Sequence, residues 1–140
     1  MDQIRQLLLE LSACTGVSGE EGGIADKIEA LLTPVAACRR TPLGNVIAVQ
    51  NPGAPKKLMT AAHMDEVGYL VTHIEESGLL RFAAVGGVSP EVMAGKRVYV
   101  GSKRLPGLVG LKAVHQQKSA ERTAAPDPEN LYIDIGAKSR

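Results

Sequence analysis

Aromatic side chains are scarce in this sequence. It has no tryptophan, one phenylalanine and three tyrosines in 140 residues. Any interior must therefore be aliphatic, built from Leu, Val, Ile and Ala. Cysteine is equally sparse: Cys14 and Cys38 stand alone, outside any C-x-x-C spacing. No signal-peptide pattern and no apolar run of membrane-spanning length is present. The plain expectation is a cytoplasmic protein with reduced thiols and no membrane partner. Cys14 falls on or near an apolar helix face, where a small buried thiol is commoner than a nucleophile. Charge of one sign is missing as well. The net charge is +1, and the basic residues occur as scattered pairs such as Arg39-Arg40 and Lys56-Lys57. Nucleic-acid binders carry a basic stripe, so a nucleic-acid partner is not expected. There is no internal repeat and no low-complexity tract.

What is present is ordinary globular composition, 44% hydrophobic and 22% charged. The length suits one domain or two small pieces. Ile4, Leu7, Leu8 and Leu11 recur at i, i+3, i+4, i+7 and predict a helix over residues 2–13. Thr15 to Gly19 breaks it. Ser18 and Glu21 match the S-x-x-E capping box, which predicts a second helix running to about Leu32. Ile24, Ile28, Leu31 and Leu32 would share one face, and Pro34 cannot continue it. Asn45–Val49 is a short β-rich run, and Asn51-Pro52-Gly53 is a turn. Lys57–Ala62 reads as a mostly buried strand that ends at His63. Helix, helix, strand, strand points to an α/β layer.

From Val67 onward the period is that of strands. Val67–Ile74, Leu79–Val85, Arg97–Gly101, Gly107–Val114 and Leu131–Ile135 are the candidates. Glu76-Ser77-Gly78 and Gly86-Gly87 are turn signals between them. Short strands at regular spacing suggest a small sandwich or barrel, which places a domain boundary near residues 65–68. Gln116–Asn130 is polar, holds Pro126 and Pro128, and reads as a loop. Gly136 to Arg140 reads as a strand exit followed by a helix N-cap, a hint of a longer architecture that has been cut.

The stretch that carries chemistry is Ala61-Ala62-His63-Met64-Asp65-Glu66-Val67-Gly68. Ligands of open α/β sheets gather beyond the carboxyl ends of strands. In extended backbone His63 and Asp65 project to the same side. A carboxylate there can hold the second imidazole nitrogen and raise the ring's basicity toward a metal. Spacing alone leaves other readings open, because an H-x-D triplet also arises by chance at a hydrogen-bonded surface histidine. A Ser–His–Asp hydrolase could use Ser18 or Ser89, but neither sits in a G-x-S-x-G elbow. Glu75-Glu76 could suggest a glycosidase acid pair, but strand neighbours face opposite ways, and a solvated turn is the simpler reading.

The wider pattern resembles the glutamyl/deblocking aminopeptidase family, dinuclear zinc- or cobalt-dependent enzymes that form tetrahedral shells. The motifs that carry the resemblance run in order. They are Gly16-Val17-Ser18-Gly19-Glu20-Glu21, Leu43-Gly44-Asn45-Val46-Ile47, and Ala62-His63-Met64-Asp65-Glu66-Val67-Gly68-Tyr69. After these come Gly78-Leu79-Leu80-Arg81-Phe82, Val85-Gly86-Gly87, Gly107-Leu108-Val109-Gly110 and Tyr132-Ile133-Asp134-Ile135-Gly136-Ala137. The resemblance covers essentially the whole chain. It implies an α/β fold in which residues 1–66 are the N-terminal part of a zinc-peptidase-like catalytic domain. Residues 67–140 would be an inserted small β-barrel domain, incomplete at its end, that helps subunits assemble.

It also implies roles. His63 would be a metal ligand, and Asp65 the catalytic-site carboxylate that fixes that histidine. Two divalent metal ions, zinc or cobalt, would assist hydrolysis of the first peptide bond of short peptides, with a glutamate as general base. A homo-oligomer is expected. The general base, the bridging carboxylate and the remaining ligands of the family lie beyond the end of this chain. The expectation is therefore an inactive N-terminal fragment of a metallo-aminopeptidase. The alternative is a non-catalytic association or binding module built on the barrel. His73 is expected on the barrel surface, His115 in a structural or interface role, and Asp134 in service of the backbone. Relatives usually carry Asp where this chain has Thr41, which puts the local hydrogen bonding near Gly44 in question.

Overall fold

A computed structural model describes residues 2–112 and 125–140. The chain divides into two compact units, Met1–Glu66 and Val67–Arg140. His115 and residues 116–124 of the expected loop lie outside the described residues, as do the last two residues of the expected strand Gly107–Val114.

In the first unit, helices α1 (Asp2–Ser12) and α2 (Gly22–Leu32) precede an antiparallel hairpin of β1 (Ala37–Arg40) and β2 (Val46–Val49). Helix α2 buries Ile24 and Ala25. Arg40 of β1 reaches across to Asp26 and Glu29 of α2, at 2.5 and 2.9 Å. Lys27 pairs with Glu10 of α1 at 2.9 Å. Such exposed pairs contribute little to stability, so they orient the helices more than they hold them. The hairpin turn is closed by Thr41, whose hydroxyl accepts from the Asn45 backbone N–H and side-chain amide, each at 3.2 Å. Thr41 thus does what an Asp would do there, and Gly44 takes the left-handed conformation that the turn needs, with φ of 87°.

Two expectations fail here. Ser18 does not cap α2. The helix starts after Glu21 with no side-chain cap, Glu21 reaches back only to the Gly19 N–H at 2.8 Å, and the Ser18 hydroxyl is engaged elsewhere. Lys57–Ala62 is not a buried strand either. It is extended without a ladder, and Leu58 and Met59 are 93% and 87% exposed. A strand becomes buried only when a neighbour takes its backbone N–H and C=O groups, and no described strand of this chain lies alongside it. The apolar stripe of α1 is only half covered: Ile4 and Leu8 are 74% and 65% exposed, while Leu7 and Leu11 are half-buried.

The second unit is a five-stranded antiparallel sheet. Its strands are β3 (Gly68–Ile74), β4 (Leu80–Val85), β5 (Arg97–Val100), β6 (Leu105–Leu111) and β7 (Leu131–Asp134), in spatial order β3-β4-β7-β6-β5. Strands β3 and β5 are its edges, and no ladder joins them among the described residues. Its core is aliphatic, as the scarcity of rings requires: Leu80, Met93, Val109, Leu131 and Ile133 are each at most 3% exposed. Tyr69 and Phe82 pack edge-to-face at its border, with centroids 4.6 Å apart. Glycine is needed at Gly107, because a Cβ there would stand 2.9 Å from Ile133 Cγ2. Among the described residues two 3-10 turns, Pro90–Val92 and Pro128–Asn130, connect strands, and the second is capped by Asp127 accepting from the Glu129 N–H at 3.0 Å.

All three tyrosines, Tyr69, Tyr99 and Tyr132, lie in this second unit, so tyrosine fluorescence reports on it selectively. Ile133→Ala is expected to lower its urea stability by about 2–5 kcal/mol. Leu70→Ala on the edge strand, where Leu70 is 62% exposed, is expected to change it by no more than about 0.5 kcal/mol. Equal losses in the two variants would contradict the core assignment.

Candidate functional site

The site is assembled in the first unit by a strap between two segments distant in sequence. The Glu66 N–H donates to the Gly16 carbonyl at 2.7 Å. The Gly16 N–H donates back to the Glu66 carboxylate at 3.1 Å. Val17 and Glu66 form an isolated parallel bridge. Glycine eases this approach, since a Cβ on Gly16 would make tight contacts with Ile24 Cγ2 at 3.0 Å and the Met64 carbonyl at 3.2 Å.

The strap places Ser18 against Asp65. The Ser18 hydroxyl donates to Asp65 Oδ2 at 2.6 Å. His63 Nδ1 lies 3.0 Å from Asp65 Oδ1 and 3.0 Å from the Asp65 main-chain oxygen. A carbonyl and a carboxylate can only accept, so the neutral ring must carry its proton on Nδ1. The Nε2 lone pair is then free, and the His63 side chain is 85% exposed. The Ser18 hydrogen bond, and after it the bond to His63, holds the Asp65 carboxyl below its ordinary value. An open cleft of about 690 Å³ runs beside these groups, with Cys14, Ile24, Ile28 and Val46 on its apolar wall.

The structure thus brings His63 and Asp65 together as their spacing suggests. It adds Gly16, which sequence reasoning gave no part in the site, and gives new parts to Ser18, weighed there only as a hydrolase nucleophile, and to Glu66 of the chemical stretch. Nothing local could have placed Ser18 here, because it meets a carboxylate 47 residues away. Ser89 does not join the group and hydrogen-bonds Glu91. Cys14 is half-buried and donates to the Glu10 carbonyl at 3.3 Å, a structural placement. His73 is exposed on β3. Asp134 accepts from the Gly136 N–H at 2.7 Å and serves the backbone. Glu75 is not simply solvated: Arg81 holds it at 2.6 Å and lowers its carboxyl.

As a metal site this constellation fits one donor, an exposed imidazole nitrogen oriented by a carboxylate. Among the described residues no group of three or more His, Cys, Asp or Glu could hold a metal, so the described donors do not make a closed centre.

Residues 44–140 match the sequence profile of the M42 glutamyl aminopeptidase family. The chain belongs to that family. A lysyl aminopeptidase of Pyrococcus furiosus is 36% identical over 140 residues, covering 96% of this chain and 40% of the relative. Among solved structures, a TET aminopeptidase of a marine-sediment Thaumarchaeota archaeon superposes with a TM-score of 0.90 at 30% identity, over 99% of this chain and 39% of that one. A Thermotoga maritima protein described as an endoglucanase is also similar, with a TM-score of 0.77 and 40% identity over 93% of this chain and 38% of that one. This M42 chain therefore spans about two fifths of the length of the curated relatives it matches.

Because the folded value of Asp65 is depressed, its contribution to stability is present above the unfolded carboxyl value of about 3.9. It is lost as pH falls through the lower folded value. Followed by ¹³C NMR, the Asp65 carboxyl of this M42 chain is expected to titrate below the ordinary aspartate range. In Ser18→Ala it is expected to move up toward that range. An unchanged midpoint would contradict the hydrogen bond.

Proposed function

We propose that this chain provides part of the active centre of a metal-dependent aminopeptidase that removes N-terminal residues from short peptides. The observation that carries the reading is the fixed imidazole: His63, its Nδ1 proton held by Asp65, turns Nε2 toward open space. In a chain of the M42 family, that is the arrangement of a metal ligand with its orienting carboxylate. A bound divalent pair, zinc or cobalt, would lower the pKa of water and polarise the scissile carbonyl. What this chain's own residues do is narrower. His63 offers one donor nitrogen, Asp65 holds the ring, and the strap at Gly16 and Glu66 fixes both.

In this reading residues 1–66 are part of the catalytic domain. The sheet of residues 67–140 is an inserted barrel-type domain through which copies of the protein associate in the cytoplasm. Its edge strand β3 supports that role, with Leu70 and Ile74 62% and 41% exposed. The other ligands and the general base fall to segments that relatives carry in the three fifths of their length this chain does not match, and the 140 residues alone are inactive. A purely associating module would leave the fixed imidazole without a purpose.

The test is aminoacyl-anilide hydrolysis with added Zn²⁺ or Co²⁺. The 140-residue chain is expected to be inactive. A chimera that continues it with the remainder of the lysyl aminopeptidase relative is expected to turn over. His63→Ala in that chimera should cost about 100-fold or more. Activity in the chimera untouched by His63→Ala would overturn the ligand assignment. Metal-dependent turnover by the chain itself would overturn its inactivity.

A further inference from the structure

The Asp65 carboxylate has two oxygens and each has one protein side-chain partner: Oδ1 takes the imidazole proton and Oδ2 takes the Ser18 hydroxyl proton. A carboxylate on an exposed extended segment is free to turn about its side-chain torsions. Asp65 is 42% exposed, and burial does little to hold it. A short charge-assisted hydrogen bond on the second oxygen removes that freedom.

Ser18 is held for the task by three features. The Gly16–Glu66 strap sets its distance from Asp65. The Glu20 N–H closes a turn on the Val17 carbonyl at 2.7 Å. Gly19 then takes a φ of 93°, which bends the chain away immediately after the serine. The helix makes no claim on the hydroxyl, because α2 has no side-chain cap and the Gly19 N–H is served by Glu21. A serine kept for capping would accept from a first-turn amide. This one donates to a carboxylate.

We infer that Ser18 is a positioning residue of the metal centre: it locks the Asp65 carboxylate, which in turn fixes the His63 ring with its proton on Nδ1 and Nε2 presented outward. The inference deepens the ligand reading of His63 and rests on it for its purpose. The orientation itself can be measured without metal.

The experiment uses the metal-free chain labelled with ¹⁵N-histidine, at about pH 8, where an ordinary imidazole is neutral. Long-range ¹H–¹⁵N correlations distinguish the two ring tautomers, and the His63 signals are those lost in His63→Ala. The wild-type chain is expected to show His63 in one tautomer, protonated on Nδ1. Ser18→Ala leaves the Asp65 main-chain oxygen as an acceptor for Nδ1, so it is expected to move the His63 nitrogens part of the way toward averaged values, and Ser18→Thr, which keeps the hydroxyl, is expected to restore the single form. A single Nδ1–H tautomer retained in Ser18→Ala, with the α2 amide signals in place, would overturn the inference. Should Ser18→Ala lose those amide signals, Ser18→Gly carries the same test. The chimera with the lysyl aminopeptidase remainder separates the two readings. Partly averaged nitrogens in Ser18→Ala together with chimera turnover that survives His63→Ala would uphold the Ser18 role and sink the ligand role instead. With both upheld, Ser18→Ala in the chimera is expected to lower metal-dependent turnover by about 10–100-fold.

Discussion

Gly16 and Glu66, 50 positions apart, are tied by two hydrogen bonds, one between backbones and one from the Gly16 N–H to the Glu66 carboxylate. Each such bond contributes only about 0.5–1.5 kcal/mol net, yet the geometry of the candidate site follows from them. They set the spacing between the segment that ends α1 and the segment that carries His63, Asp65 and Glu66. Without that spacing the Ser18 hydroxyl has no route to Asp65, and the imidazole of His63 is one exposed ring among many. The absence of a Cβ on Gly16 spares the segments tight contacts with Ile24 and the Met64 carbonyl where they meet.

The two units meet different physical demands. The second closes a small aliphatic core from five strands and a buried Met93, with glycine admitted where strand and side chain crowd. Among its described hydrophobic side chains the first buries only Ile24 and Ala25. It leaves Ile4 and Leu8 of α1 and the stretch from Lys57 to Ala62 facing water. An apolar helix face and an unladdered extended segment are the signs of a layer whose covering elements come from elsewhere, which agrees with a chain that matches about two fifths of its relatives' length.

Much of this was legible in the sequence where the signal is local. The 3.6-residue period placed α1 and α2, and the alternation and turn residues placed all five strands of the second sheet within a few positions. His63 and Asp65 share a side because the extended period is two, and the structure brings them to 3.0 Å. The misreadings arise where a residue's partner is remote or missing. Lys57–Ala62 has the composition of a strand, but composition cannot supply the neighbour that would bury it. Ser18 and Glu21 carry a capping spacing, but the helix begins only after Glu21, and the Ser18 hydroxyl proton goes to a carboxylate 47 residues away. Strand β1 went unread because Ala37–Arg40 shows no alternation and is paired only through the hairpin turn at Thr41.

Amide hydrogen exchange at Gly16 and Glu66 tests the central claim most directly. If the strap organises the site, both amides exchange far more slowly than those of Leu58 and Met59 in the unladdered stretch. Gly16→Val then releases both together, because the added side chain forces the segments apart. Exchange at Gly16 and Glu66 as fast as at Leu58 in the unaltered chain would mean that no strap persists in solution, and the site built on it would have to be abandoned.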